Sequence, residues 1–201
     1  MTDRLPPTAA GLARAVEMLR AGLIVAFPTD TVYGVAVSAS QPGGADLLVS
    51  LKQRPAEKRI PILVSDLGQA LHAGWHTDDR ARRLVERFWP GALTIVLAAP
   101  GRDTQAFRSP DHAVALELIR LAGPLLATSA NRSGEPDALS ADDVLVAFAT
   151  QRDALAAVVD GGHVPGGVAS TVVDLTVTPA RLLREGPISR EMLSPEVELV
   201  G

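Results

Sequence analysis

The sequence contains no cysteine in its 201 residues, and that absence removes several kinds of site at once. A chain without thiols has no disulfide, no thiolate zinc site and no cysteine nucleophile. The N-terminal segment lacks the apolar stretch of a secretory signal, and no apolar run reaches the roughly 18 residues that cross a bilayer. We therefore expect a cytoplasmic protein without a membrane partner.

Aromatic residues and excess positive charge are also scarce. Aromatic side chains make up 3% of the chain, and the formal net charge is −4. Proteins that coat RNA are usually basic and stack bases on aromatic rings, so these values weigh against such a role. Hydrophobic residues make up 47%, which suffices for a sizeable core built from Ala, Val and Leu.

Established signatures of phosphate, metal and nucleophile sites are missing as well. The chain has no GxxxxGKS/T loop, no GxGxxG opening a helix, no HExxH and no GxSxG. His72 and His76 are four residues apart, but a glycine lies between them, and we interpret both as surface residues. We expect no metal ligands among the protein's side chains.

What the sequence does contain is an alternation of helical and strand-like segments. Helical spacing is predicted for residues 12–19, 45–54, 78–88, 112–123 and 140–148, with Thr77 and Ser140 as N-caps. Apolar strand-like runs occupy residues 23–27, 31–37, 60–66, 93–99, 125–129, 156–160, 170–175 and 180–185. This pattern predicts an α/β fold, a twisted mixed parallel and antiparallel sheet wrapped by helices, in one domain over residues 1–201.

Polar residues gather where several of these segments end. The stretch FPTDTVYG places Thr29, Thr31 and Tyr33 directly after the first buried strand. Hydroxyls after a proline can satisfy the backbone of a turn, and they can also contact a ligand. Lys52 and Arg54 lie at a helix C-terminus, where cations either favour the macrodipole or bind a phosphate.

Three later clusters leave the same choice open. Residues 128–134, TSANRSG, follow a buried strand and either make an Asx turn or present donors to a ligand. The glycine-rich segment from Asp160 to Ser170 is either a plain loop or a backbone that approaches a phosphate closely. Arg184 lies in the segment LLREG.

Taken in order, these clusters resemble one known family. The strings FPTDTVYG, KQRP, WPGALTIVL, FRSPDH, TSAN, DGG, STVVDL and LLREG follow the order found in threonylcarbamoyl-AMP synthases, the YrdC-like domain family. The resemblance covers about residues 10–190 and leaves a short C-terminal tail. It implies a YrdC-like domain whose sheet encloses a deep electropositive cavity.

The resemblance also implies an activity. Members of the family convert L-threonine, bicarbonate and ATP into threonylcarbamoyl-adenylate and pyrophosphate, and Mg²⁺ accompanies the ATP. A downstream threonylcarbamoyl-transferase complex uses that product to modify adenosine 37 of tRNAs that read ANN codons. The implied enzyme is a nucleotidyltransferase of tRNA processing, and weak binding of tRNA or double-stranded RNA is a further expectation.

Family motifs match individual residues of this sequence. The positions implied to bind ATP are Lys52, Arg54, Ser129, Asn131 and Arg184, and the first two are the implied catalytic residues. The positions implied to bind threonine are Thr29, Arg108 and Ser170, with Thr31, Tyr33 and Thr128 in support.

The sequence departs from the family's longer members in two ways. They carry a histidine late in the strand corresponding to IPILVSD, where this chain has Leu63, Val64 and Ser65, so threonine recognition on that side is expected to differ. They also add a second domain after a linker. This chain resembles the short, single-domain type, and closure over the nucleotide is expected to come from the tail after Pro187.

Two alternatives remain open from the sequence. The first is an RNA-binding module that uses the same cationic cavity without turnover. The second is a carbamoyl-transfer domain related to those of hydrogenase maturation, although those usually belong to larger chains with cysteine-rich zinc fingers.

Overall fold

The computed structural model describes residues 2–53, 60–72, 74–99 and 101–200. Its helices are α1 (Ala9–Arg20), α2 (Gly44–Lys52), α3 (Leu67–His72), α4 (Asp79–Phe88), α5 (Ala113–Ala122), α6 (Ala141–Ala147) and α7 (Arg190–Leu193). Its strands are β1 (Asp3–Leu5), β2 (Ile24–Phe27), β3 (Gly34–Ser38), β4 (Ile62–Leu63), β5 (Leu93–Ala99), β6 (Arg102–Arg108), β7 (Leu125–Ser129), β8 (Leu155–Val159), β9 (Thr171–Asp174) and β10 (Arg181–Arg184).

The strands form one mixed sheet in the order β1-β8-β2-β3-β7-β4-β6-β5-β9-β10. The pairs β1·β8, β2·β8, β4·β6 and β5·β9 are parallel. The pairs β2·β3, β3·β7, β4·β7, β5·β6 and β9·β10 are antiparallel. The mixed sheet expected from the sequence is therefore confirmed.

Helices cover both faces of this sheet. On one face, α1 and α5 pack against alternate residues of β2, among them Val25 and Phe27. On the other face, α2 and α6 pack against Ile24 and Ala26. Because successive side chains of a strand point to opposite faces, all four residues of β2 are buried. A third core joins α4, β5, β6 and the C-terminal segment.

Local capping explains where two of the helices begin. Ser140 and Asp143 form a reciprocal capping box at α6, as the sequence predicts. The predicted cap of α4 is wrong by one residue, because Asp78 rather than Thr77 accepts the hydrogen bond from the Ala81 N–H. A carboxylate is the stronger acceptor for the N–H groups of a helix start.

Other predicted segments also differ from the structure at their ends. The strand predicted over residues 31–37 begins only at Gly34, because Thr29 to Val32 form a hydrogen-bonded turn. The strand predicted over residues 60–66 is reduced to Ile62 and Leu63. Helix α2 ends at Lys52, since Gln53 has a positive φ of 49°.

Four elements give too little signal to be predicted from the sequence, namely β1, β6, α3 and α7. Strand β6 has the polar sequence RDTQAFR and forms because it pairs with the apolar β5. His72 and His76 are exposed, which confirms their interpretation as surface residues. Within the described ranges, none of the helices is both long enough and apolar enough to cross a membrane.

Candidate active site

Lys52 is the last residue of α2, and its ammonium group is directed at the end of β7 and the residues that follow. Its Nζ donates to the Ser129 carbonyl at 2.6 Å, to Ser129 Oγ at 3.2 Å and to Asn131 Oδ1 at 2.9 Å. Asn131 is fixed in turn, because it accepts from Ser129 Oγ at 2.6 Å and its amide donates to the Glu135 carbonyl at 2.6 Å. With Lys52 only 4% exposed, this arrangement is a buried positive charge held in one direction.

The FPTDTVYG segment forms a turn organised by the hydroxyl of Thr29. Thr29 Oγ1 donates to the Val32 carbonyl at 2.7 Å and accepts from the N–H groups of Thr31 and Val32 at 3.2 and 3.3 Å. The hydroxyls of Thr29 and Thr31 are 3.1 Å apart. Because the one proton of Thr29 is directed at Val32, Thr31 must be the donor in that contact.

Arg108, the last residue of β6, is fixed by this turn. Its Nε donates to the Gly91 carbonyl at 2.9 Å, its Nη1 to Thr31 Oγ1 at 3.0 Å and its Nη2 to Asp30 Oδ1 at 2.6 Å. Burial lowers the pKa of the guanidinium, and the attraction of Asp30 opposes that shift. Each terminal nitrogen keeps a second N–H, so the group can still donate to a ligand.

Ser170 brings a second arginine to the same region. Arg184, on β10, donates from Nε to the Ser170 carbonyl at 2.9 Å and from Nη2 to Ser170 Oγ at 3.2 Å. Thr94 Oγ1 lies 2.8 Å from Ser170 Oγ. Burial lowers the pKa of Arg184, and repulsion by Arg184 contributes to the lowered pKa of Arg108. Two like charges are thus held close enough to interact.

The segment from Asp160 to Ser170, here called the glycine loop, runs beside the turn. The Gly167 N–H donates to the Thr31 carbonyl at 3.0 Å, and a Cβ on Gly166 would lie only 1.6 Å from that oxygen. Tyr33 Oη donates to the Gly162 carbonyl at 2.7 Å and accepts from the Gly161 N–H at 3.1 Å. The turn and the glycine loop therefore form one hydrogen-bonded unit.

The structure brings most of the predicted site residues into these connected groups. Lys52, Ser129 and Asn131 form one group, and Thr29, Thr31 and Arg108 form another. The Ala130 N–H donates to the Tyr33 carbonyl at 2.7 Å and so joins the two. Ser170 and Arg184 form the third group. Their contacts with ATP and threonine stay predictions.

Of three other residues named in the sequence analysis, the structure describes two. Arg54 lies outside the described residues. Thr128 is half-buried within β7, opposite Val35 of β3. Ser65 donates to Asp66 Oδ2 at 2.8 Å, and its carbonyl accepts from Ser109, the neighbour of Arg108, at 3.0 Å. Ser65 thus lies beside the Arg108 group, although its own hydroxyl is bonded to Asp66.

Sequence reasoning missed Asp30 and Thr94 as members of the site. Asp30 lies between two threonines of the predicted site, and its partner Arg108 is 78 residues away. Thr94 was hidden in an apolar strand, where a single hydroxyl in LTIVLAA was the only signal. A buried polar residue inside an apolar strand needs a partner, and Ser170 is that partner here.

Comparison with known proteins identifies the family. The family model named Sua5, YciO and YrdC, and described as telomere recombination, matches residues 17–186. The chain belongs to the Sua5/YciO/YrdC family. The threonylcarbamoyl-AMP synthase of Bacillus subtilis is a relative with 36% identity over 96% of this chain, and that of Cellvibrio japonicus has 34% identity over 70%.

A solved structure of the family shares the fold. The crystal structure of Pyrococcus abyssi Sua5 complexed with L-threonine superposes with a TM-score of 0.88 at 33% identity, over all of this chain and 62% of that one. The chain spans 58% of the B. subtilis relative and 80% of the C. japonicus relative. It therefore corresponds to part of the longer family members and to most of the shorter one.

Proposed function

We propose that this chain is a threonylcarbamoyl-AMP synthase, which converts L-threonine, bicarbonate and ATP into threonylcarbamoyl-adenylate and pyrophosphate. The observation that carries the proposal is the pair of buried, rigidly held cations Lys52 and Arg108 at positions that match the family motifs. Both cations are oriented by neighbouring oxygen atoms, as the binding of anionic substrates requires. The relatives that carry this activity in their names support the same conclusion.

The proposed chemistry needs positioning more than it needs a protein nucleophile. The ammonium group of threonine first loses a proton, and the neutral amine and bicarbonate then form a carbamate with loss of water. A carbamate oxygen then attacks the α-phosphorus of ATP, a P–O bond forms, and the bond to pyrophosphate breaks. Holding the reactants in line and stabilising the negative charge on the leaving group accelerates such a step.

The described side chains divide between the two substrates in this proposal. Arg108, fixed by the turn, would donate its remaining N–H groups to the threonine carboxylate, with Thr29 and Ser170 nearby. Lys52, whose ammonium group already donates to three protein oxygen atoms, would attract the phosphates of ATP through its positive charge, together with Arg184 and Arg54. Ser129 and Asn131 would act largely by directing Lys52, because both are already bonded to its ammonium group or to each other.

We further propose that Mg²⁺ enters as part of the ATP substrate. Magnesium prefers oxygen ligands and keeps several water molecules, so phosphate oxygens and water suit it. Within the described parts of the chain there is no group of three or more His, Asp or Glu residues arranged to hold a metal ion. When bound with ATP, the ion would neutralise part of the negative charge of the phosphates.

The proposed product implies further partners. Threonylcarbamoyl-adenylate is a reactive mixed anhydride, and we propose that a downstream threonylcarbamoyl-transferase acting on tRNA consumes it in the cytoplasm. The alternative of an RNA-binding module without turnover is not favoured, since the relatives are named as synthases.

The test is release of pyrophosphate from ATP and Mg²⁺. We expect release that depends on both bicarbonate and L-threonine and that serine supports poorly. Lys52→Met should abolish release, because a buried charge near the phosphates is lost, whereas Arg108→Lys should mainly raise the threonine concentration required. Release that is independent of threonine, or undiminished by Lys52→Met in a folded protein, would contradict the assignment.

A further inference from the structure

Strand β1 lies before residues 17–186, which the family model matches, and it contacts the first residue of the glycine loop. It pairs with β8 in parallel, with Asp3 opposite Ala157 and Leu5 opposite Val159. The Asp160 N–H extends this pairing by donating to the Leu5 carbonyl at 2.8 Å. The first residue of the glycine loop is therefore bonded to the backbone of β1.

The side chain of Arg4 adds a second connection at the same place. Its Nε and Nη2 both donate to Asp160 Oδ2, at 2.9 and 2.7 Å. Its Nη1 donates to Asp142 Oδ1, at the start of α6, at 2.8 Å. Arg4 thus joins three elements, and only one of its two carboxylate partners belongs to the glycine loop.

The carboxylate of Asp160 also binds a backbone group within the glycine loop. Its other oxygen, Oδ1, accepts from the Gly162 N–H at 3.1 Å. That bond and the bond from Arg4 both lower the pKa of the Asp160 carboxyl group. Glycine backbones lose much conformational freedom on folding, so a loop with several glycines depends on such bonds for a defined course.

The glycine loop is also bonded to residues of the candidate site. Tyr33 Oη bridges Gly161 and Gly162, and the Thr31 carbonyl accepts from Gly167. The loop ends at Ser170, which accepts two hydrogen bonds from Arg184. Hydrogen bonds and the backbone of the glycine loop therefore connect Arg4 with the groups around Arg108 and Arg184.

We propose that Arg4 is a positioning residue, which holds the glycine loop in place through Asp160 and thereby sets the affinity of the site for its amino-acid substrate. The substrate part of this statement rests on the proposed function. Loss of the Arg4–Asp160 ion pair should alter the glycine loop rather than the stability of the whole fold, because the two side chains are 48% and 30% exposed. Exposed ion pairs contribute little to global stability.

Hydrogen–deuterium exchange of the intact protein tests the positioning role without requiring turnover. Arg4→Met removes the charge but keeps most of the side-chain length, and Asp160→Asn keeps the acceptor for Gly162. In each variant we expect about two- to fivefold faster exchange at Gly161, Gly162 and Gly167, with the rest of the sheet and the melting temperature unchanged. The double variant should add little, because both changes remove the same bonds.

Three control variants separate this role from general effects of charge. Asp142→Asn removes the other partner of Arg4 and should leave exchange in the loop unchanged. Arg14→Met removes an exposed arginine that pairs only locally with Glu17, and it should also have no effect on the loop. Arg4→Lys keeps the positive charge and should restore part of the protection.

Kinetics complete the test. In pyrophosphate release, Arg4→Met should raise the KM for threonine about two- to fivefold while kcat stays within about twofold. Unchanged exchange in Arg4→Met, faster exchange throughout the sheet, or an equal effect of Asp142→Asn would each overturn the proposal. If the unaltered protein releases no pyrophosphate, the proposed function fails, whereas the exchange data still decide whether Arg4 holds the loop.

Discussion

The hydroxyl of Thr31 offers the sharpest test of how the site is built. Thr31 is buried, accepts a hydrogen bond from Arg108 Nη1 and donates one to Thr29 Oγ1. Replacing Thr31 with valine keeps the shape of the side chain but removes both bonds. Arg108 is only 8% exposed, so water does not easily take the place of the lost acceptor.

The expected cost follows from the bond to the charged group. A hydrogen bond to a charged partner contributes about 1.5–3 kcal/mol, and leaving the buried donor unsatisfied costs a similar amount. For a domain of this size, each kcal/mol lowers the melting temperature by about 2–4 °C. We therefore expect Thr31→Val to lower the melting temperature by about 3–12 °C and to weaken threonine binding, because Arg108 loses one of its three fixed contacts.

Two further variants make the result interpretable. Thr31→Ser keeps the hydroxyl and loses one methyl group, which costs about 0.8 kcal/mol. Thr150→Val makes the same chemical change at an exposed residue and should alter stability by less than about 0.5 kcal/mol. Thermal and urea unfolding followed by circular dichroism measure all three. The reasoning is refuted if Thr31→Val is as stable as Thr150→Val, or if Thr31→Ser is as unstable as Thr31→Val.

Two other outcomes are expected. Gly166→Ala would place a Cβ 1.6 Å from the Thr31 carbonyl oxygen, so the glycine loop must move and the affinity for threonine, measured by calorimetry, should fall. Gly101→Ala adds an atom with nothing within 4 Å and strains only its own backbone, whose φ is +69°, so it should lower that affinity less. Equal losses of affinity in the two variants would contradict this. Burial lowers the pKa of His112, so the unfolded chain binds its proton more readily and stability should decrease as the pH falls below about 6.5. In His112→Gln, the free energy of unfolding measured with urea should decrease less steeply as the pH falls. If it decreases as steeply as in the unaltered protein, His112 does not have this role.

The parts of the fold that the sequence predicts well are those with strong local signals. The apolar runs at residues 93–99 and 125–129 coincide with β5 and β7, and the capping box of α6 is formed as expected. Strands β1 and β6 were not predicted, because they lack an apolar pattern. Strand pairing stabilises both of them, and pairing depends on partners that local sequence does not reveal.

The candidate site was predictable to a similar degree. Motif order identified Lys52, Ser129, Asn131, Arg108 and Ser170, and the structure places these residues in connected groups. The partners that orient them, such as Asp30 for Arg108 and Thr94 for Ser170, come from distant parts of the chain. Only the folded backbone brings such pairs together, and local sequence patterns do not encode them.

The position of β8 in the sheet has a consequence for protein synthesis. Strand β8 lies between β1 and β2, which are neighbours in sequence but not in the sheet. Arg4 and Asp160 are 156 residues apart, so the N-terminal part of the nascent chain leaves the ribosome long before its partner is made. Until β8 emerges, one edge of β2 has no partner, and such edges promote aggregation. A chain truncated before Leu155 would therefore keep that edge of β2 unpaired.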